Sequence, residues 1–286
     1  MNLFLWTADP ADEAHLPLYE RLKAMGFDGI ELPVFEAIPE RFRALGERLD
    51  AMGLERTAVT VCGAEDNPID PDPAVRRRAL EERKRVVDCC EAGGMELLGG
   101  PLYSALGVFS GAAPTAAEWN RSVEYLRDLA DYAERAHVQL GLEFLNRFEI
   151  YLLNCAEDTT RLVEEVGRPN VGVHYDTFHA HIEEKDVAEA VAGCAAKLNH
   201  VHISESDRST PGCGQVNWSA TFDALQAADY DGWLVIEAFG SALLELAAAT
   251  KIWRRMFEDE EILASEGLAF MKREWEDRAK DTGGPG

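Results

Sequence analysis

The chain has 286 residues, 47% of them hydrophobic, and a formal charge of −24. That size and balance are ordinary for a folded protein with room for a large core, whereas so acidic a chain lacks the basic footprint a nucleic-acid backbone requires. No apolar run is long enough to span a membrane, and the opening MNLFLWTADPADE has neither the basic start nor the apolar length of a signal peptide, so cytoplasmic residence is the default expectation. The six cysteines form no spaced framework and read as reduced, mostly core thiols, with Cys213 in the loop PGCG the candidate for exposure.

From the N-terminus, strand-like and helix-like segments alternate. Leu3 to Thr7 reads as a first strand, followed by helical spacing in HLPLYERLKAM that stops at Gly26. GIELP is a second strand, PERFRALGERLDAM a helix ending at Gly53, and Arg56 to Cys62 a third strand. The long segment DPAVRRRALEERKRVVDCCEA is a helix with Asp72 as N-cap, Pro73 at its first position and Gly93 as its stop. MELLGG gives the fourth strand, and TAAEWNRSVEYLRDLADYAERA a helix opened by Thr115 and Glu118 at capping-box spacing. The second half repeats the scheme. QLGLEFL, NVGVHYD, LNHVHIS and WLVIEAF are strands, each followed by a helix: AEDTTRLVEEVG, KDVAEAVAGCAAK, NWSATFDALQAADY and LLELAAATKIWRRMF. EEILASEGLAFMKREWEDRAK adds a last helix, and 281–286 reads as a frayed tail. Eight strand–helix pairs with no linker between them, and near-continuous apolar strands of the kind covered on both faces, predict an α/β fold. The expectation is a single (β/α)8 TIM-barrel domain over 1–286 with an extra C-terminal helix.

Four ionisable side chains stand at the ends of strands in the C-terminal half: Glu143 in GLEFLNRFE, Asp176 in HYDTFH, His202 in HVHISE and Glu237 in LVIEAF. In such a barrel those ends converge on one mouth. Three hard oxygen donors and one imidazole suit a divalent cation such as Mn²⁺, with Co²⁺ or Mg²⁺ as alternatives, better than a thiolate-bound zinc. Burying the three carboxylates without a cation would be costly, and Arg208, six residues past His202, would bring the loaded set close to neutral. A single acid at a strand end is more often a cap or an ion-pair partner; four on consecutive strands are much harder to explain that way. His200 and His174 each lie two residues before a ligand candidate on the same strand face, and both read as hydrogen-bonded core histidines. His179 and His181 fall in the loop beyond the strand, His179 able to face the mouth and His181 on the surface.

The runs LEFLNRFEIYLLN, DTFHAHIEE, HVHISESDRSTPGCGQVNW and YDGWLVIEAF resemble the D-tagatose/D-psicose (D-allulose) 3-epimerase family, whose barrel is of the xylose-isomerase type. The resemblance is dense from Leu142 to Phe239 and looser before it. It implies a metal site at Glu143, Asp176, His202 and Glu237, catalysis by Glu143 and Glu237 as the acid–base pair, and substrate contacts at Glu149, His179 and Arg208. A ketose offers its C2 carbonyl and C3 hydroxyl oxygens to the metal, which stabilises the enediolate formed when the C3 proton leaves. Epimerisation removes that proton from one face and delivers another to the opposite face, which asks for two carboxylates. An aldose–ketose isomerase needs one base. Ala238 stands where the family usually carries proline, and the loop GSALLELAAAT lacks a glycine pair often found there, so substrate preference is less firmly implied than the reaction.

The implied activity is that of a metal-dependent ketose 3-epimerase, its partner a small-molecule ketose. A related isomerase on the same barrel, acting on hydroxypyruvate or between aldose and ketose, is the first alternative. A metal-dependent endonuclease of the type that acts at damaged DNA is a weaker one, opposed by the acidic charge. A non-catalytic sugar-binding protein is weaker still, since the four-ligand set is intact. Barrel helices commonly pair with another copy, which makes a homodimer or homotetramer plausible without any residue that requires it.

Overall fold

The structure is a computed structural model that describes residues 1–281, with side chains to Arg278. Seven parallel strands follow one another in chain order: β1 (Gly29–Pro33), β2 (Glu55–Val59), β3 (Leu97–Gly100), β4 (Gln139–Glu143), β5 (Val171–Asp176), β6 (Leu198–Ile203) and β7 (Leu234–Ile236). The gap between β7 and β1 is bridged by the N-terminal dipeptide. Asn2 N–H donates to Ile236 O at 2.9 Å, and Glu31 N–H donates to Met1 O at 2.8 Å. The sheet is thus a nearly closed TIM barrel, as the alternation predicts.

The expected first strand, Leu3–Thr7, does not form. Asn2 makes an isolated bridge to Glu31 and the chain then curls into a 3-10 turn, Leu3–Leu5. The cause is local. The Asn2 side-chain oxygen accepts from Phe4 N–H at 2.8 Å, offering the backbone a cap in place of a ladder. Leu3, Phe4 and Leu5 are all buried in the turned conformation, so no hydrophobic burial is sacrificed.

The helices around the barrel are α1 (Leu16–Met25), α2 (Pro39–Met52), α3 (Pro73–Gly93), α4 (Ala116–Arg135), α5 (Ala156–Val166), α6 (Thr177–Glu183), α7 (Val187–Cys194), α8 (Trp218–Ala227), α9 (Leu244–Thr250) and α10 (Glu260–Asp281). Asp72 caps α3 as expected, and Thr115 and Glu118 form the expected capping box at α4. The stop of α3 lies one residue later than expected, because Gly94 rather than Gly93 takes the left-handed conformation. Helix α6 falls where a loop was expected. Its start is set by Asp176, whose Oδ1 accepts from the amides of Phe178 and His179. Helix α9 is shorter than the expected LLELAAATKIWRRMF: Lys251 turns left-handed, and Ile252 folds back into a small cluster with Phe4, Val59, Phe239 and Ala247. Of the expected frayed tail, Asp281 closes α10, and 282–286 lie outside the described residues.

The strand alternation that buries Ile30, Leu32, Val173 and Val201 turns Glu31, His174, His200 and His202 into the barrel, where all four are fully buried. Space for the rings comes from glycine. A Cβ on Gly99 would lie 3.0 Å from His174 Nδ1.

The next residue, Gly100, ends β3 at φ +124°, and a Cβ there would lie 2.1 Å from the Thr60 carbonyl oxygen. Neither the backbone conformation nor the space admits a side chain. Gly100→Ala is expected to lower stability by about 2–4 kcal/mol, the combined cost of a strained backbone and an overpacked contact. Denaturant unfolding midpoints of the two proteins check it.

Candidate active site

The sequence-predicted cluster assembles. Glu143 ends β4, Asp176 ends β5, His202 sits one residue before the end of β6, and Glu237 directly follows β7. Asp176 and His202 are paired across neighbouring strands. Each of the four offers a ligand atom within 4.8 Å of all the others. His202 Nδ1 lies 3.8 Å from Glu143 Oε1, 3.6 Å from Asp176 Oδ2 and 3.4 Å from Glu237 Oε1. All four side chains are buried.

Arg208 is the cation inside this acidic pocket. Its Nη1 donates to Asp176 Oδ2 at 3.0 Å, to Ser204 Oγ at 2.9 Å and to Glu237 Oε2 at 2.5 Å. The guanidinium lies over the Phe178 ring, 3.9 Å from its centroid. Arg208 is thus a buried member of the site and not a surface residue. Arg208 has a left-handed backbone, φ +64°, unusual for a residue with a side chain. The loop that imposes it is organised by Glu205, a fully buried carboxylate that accepts from the amides of Ser206, Gly212, Gln215 and Val216 and from Trp218 Nε1.

His179, in the first turn of α6, is buried beside Arg208. Its Nδ1 lies 3.0 Å from the Asn146 backbone amide, a donor, so that side of the ring meets an N–H. Nε2 lies 2.9 Å from Arg208 Nη2. A guanidinium only donates, so each ring nitrogen of His179 faces a donor and a neutral ring can accept at just one of them. Glu149 is half-buried and accepts from Asn146 Nδ2 at 2.7 Å. Arg147 pairs with Glu183, not with Glu149. His181 is on the surface, as expected.

The electrostatics divide the acids. Burial, then Glu237 and Asp176, push the Glu143 carboxyl well above the usual carboxylate range, against the pull of His202. Burial also raises Glu237, with His202 and Arg208 opposing. For Asp176 burial acts upward too, but Arg208 and His202 outweigh it and hold the group well below its ordinary value. Burial would lower His202, yet Glu31 and then Glu237 hold it well above the ordinary imidazole range. Burial and the neighbouring Arg208 lower His179 to about 3, which keeps it neutral.

These residues fit a divalent cation. Three buried carboxylates are faced by one guanidinium, and His202 Nδ1, buried in their midst, has no hydrogen-bond partner. Hard oxygens with a single imidazole are the donor set of Mn²⁺, Co²⁺ or Mg²⁺.

Sequence reasoning missed Glu31, Asn146 and Glu205. Glu31 carried a signal: an acid in the middle of the buried strand GIELP points inward when Ile30 and Leu32 point outward. Its Oε1 is 2.6 Å from His202 Nε2 and its Oε2 is 2.8 Å from His200 Nε2. His200 is thus the hydrogen-bonded core histidine expected. His174 is buried as expected, but neither of its ring nitrogens has a hydrogen-bond partner.

The family model for the xylose isomerase-like TIM barrel matches residues 19–274. The chain is 34% identical over 275 residues to the L-ribulose 3-epimerase of Mesorhizobium japonicum, covering 95% of this chain and 92% of that one. It is 32% identical to the D-psicose 3-epimerase of Enterocloster bolteae over 87% of this chain and 84% of the relative. A solved L-ribulose 3-epimerase structure superposes with a TM-score of 0.92 at 32% identity, covering 99% of this chain and 95% of the other. With the fold, the strand-end cluster and these relatives in agreement, the chain belongs to the xylose isomerase-like TIM barrel family.

Proposed function

We propose that the protein is a metal-dependent ketose 3-epimerase that inverts C3 of a free ketose, with Glu143 and Glu237 as the acid–base pair. The observation that carries this reading is the arc of four buried side chains. Its outer members, from β4 and β7, are the two glutamates, and Asp176 and His202 lie between them. Named relatives at 29–34% identity that are 3-epimerases of L-ribulose, D-psicose and other ketoses support it.

Glu143, Asp176, His202 Nδ1 and Glu237 would hold the cation, Mn²⁺ first and Co²⁺ or Mg²⁺ as alternatives. When bound, the ion supplies Lewis-acid stabilisation of the negative charge that develops at the substrate oxygens. The remaining work falls to the chain. One glutamate, ionised, accepts the C3 proton from one face of the sugar; the other, protonated, returns a proton from the opposite face, so the sugar need not turn. In the metal-free protein burial raises the proton affinity of both carboxyls. Arg208 Nη2 and the His179 ring beside it would contact one substrate oxygen. Glu149, oriented by Asn146, would accept from a sugar hydroxyl.

Purified protein supplied with Mn²⁺ is expected to interconvert a free ketose and its C3 epimer, with solvent deuterium entering at C3. Chromatography and proton NMR read the result. A new aldose as the product would instead favour the isomerase alternative. Glu237→Gln is expected to lower the rate by about 10²- to 10⁴-fold, the usual worth of a general acid–base group; unchanged turnover would remove Glu237 from the pair.

Cation binding should also be proton-linked. Glu143, Glu237 and His202 all have raised proton affinity in the metal-free protein, so an arriving cation displaces protons, and affinity rises with pH. Calorimetric titration with Mn²⁺ in two buffers of different ionisation enthalpy measures the release. Equal heats in both buffers would contradict this charge assignment.

A further inference from the structure

We infer that Glu31 is the positioning residue of the proposed metal centre: it fixes the ring of His202 so that Nδ1, and not Nε2, is the ligand atom. The inference rests on the metal-dependent reading above and adds a residue outside the four-member cluster. Glu31 lies in the middle of β1, across the barrel interior from β6, and is fully buried. Its carboxylate has four partners. Oε1 accepts from His202 Nε2 at 2.6 Å and from Asn2 Nδ2 at 3.0 Å; Oε2 accepts from His200 Nε2 at 2.8 Å and from Thr57 Oγ1 at 3.0 Å.

An ionised carboxylate is an acceptor only, so every one of these partners must bring a proton. Both imidazoles therefore carry hydrogen on Nε2. Any proton the ring yields to a cation therefore leaves Nδ1, whose lone pair then faces the space among Glu143, Asp176 and Glu237, 3.4 to 3.8 Å away. A carboxylate behind a histidine also strengthens the electron donation of its far nitrogen and holds the plane of the ring. His200 serves as a second prop: held by the other oxygen of Glu31, it packs its ring 5.3 Å from that of His202. Asn2, which helps close the barrel between β7 and β1, ends on the same carboxylate, so the closure itself orients the site. Glu31 touches neither the cluster's carboxylates nor the mouth. It acts through His202, and is not itself a catalytic residue.

The test is the dissociation constant of Mn²⁺, measured by electron paramagnetic resonance of the free ion, for the wild type and for Glu31→Gln. The amide presents a donor to partners that are donors, and affinity is expected to fall by about 10- to 100-fold, the usual cost of losing such a support. Near-UV circular dichroism of both metal-free proteins confirms that the variant is folded. Wild type that binds Mn²⁺ while the variant binds equally well overturns the role of Glu31 and leaves the proposed function standing. Wild type that binds no Mn²⁺ overturns both. Should Glu31→Gln fail to fold, ¹⁵N NMR of the histidines in Mg²⁺-treated wild type decides the matter without a variant. A proton on His202 Nε2 is expected, and a bare Nε2 with the proton on Nδ1 alone overturns the inference.

Discussion

Three carboxylates share a buried pocket with one guanidinium, and that charge arrangement ties together the elements around the barrel mouth. Asp176 is the joint. One of its oxygens caps α6, the helix that carries His179; the other takes Arg208, which comes from the loop between β6 and α8. Arg208 reaches onward to Glu237 after β7. Removing one member of a buried ion pair leaves an uncompensated charge, which typically costs about 3–5 kcal/mol. The site therefore cannot be altered at Arg208 as though it were only a sugar contact. The loop that presents Arg208 in a left-handed conformation is built around the buried Glu205, so local backbone strain is balanced by that carboxylate's hydrogen bonds to backbone amides.

Beneath the pocket the barrel interior is polar where such barrels are ordinarily filled by branched apolar side chains. Glu31, Thr57, His200 and His202 form one hydrogen-bonded set, which is how buried polar groups avoid the cost of desolvation. His200 and His202 in turn hold Glu31 well below the usual carboxylate range, against its burial. His174 completes the group of rings, 4.0 Å from His202 edge to face. Burial, then His202 and His200, push His174 well below the ordinary imidazole range. It stays neutral beside a histidine that favours its proton, and no second positive charge enters the core.

The strand-end acids were legible in the sequence because position and chemistry coincide there. Glu143, Asp176, His202 and Glu237 each interrupt an apolar run at the point where a parallel strand must end, and four repeats of that coincidence identify one mouth. Helix boundaries were legible where a side chain or a glycine determines them, as at Asp72, Thr115 and Gly53. Legibility failed where one side chain serves two structures. Asn2 caps a 3-10 turn and also meets Glu31, so an apolar LFLWT that reads as a strand becomes a turn. Asp176 is at once a candidate ligand and a helix cap, which hid α6 inside an apparent loop. Glu31 and His202 are separated by 171 residues, and no local pattern announces a hydrogen bond over that distance.

The division of charge in the pocket also bears on the kind of sugar the proposed enzyme would accept. The cation within the pocket, Arg208, is engaged by Asp176 and Glu237, and His179 beside it is held neutral by burial and by Arg208 itself. A phosphorylated sugar brings roughly two negative charges at neutral pH and calls for cations or amides not already committed. In the Gly-rich loop around Gly212, the Gly212 and Gln215 amides already donate to Glu205. A free ketose asks for less: one oxygen beside Arg208 and His179, one hydroxyl on Glu149, and two carboxyls at either end of an arc on which its C3 can be placed. The donors and acceptors that remain uncommitted match a neutral polyol better than an anion.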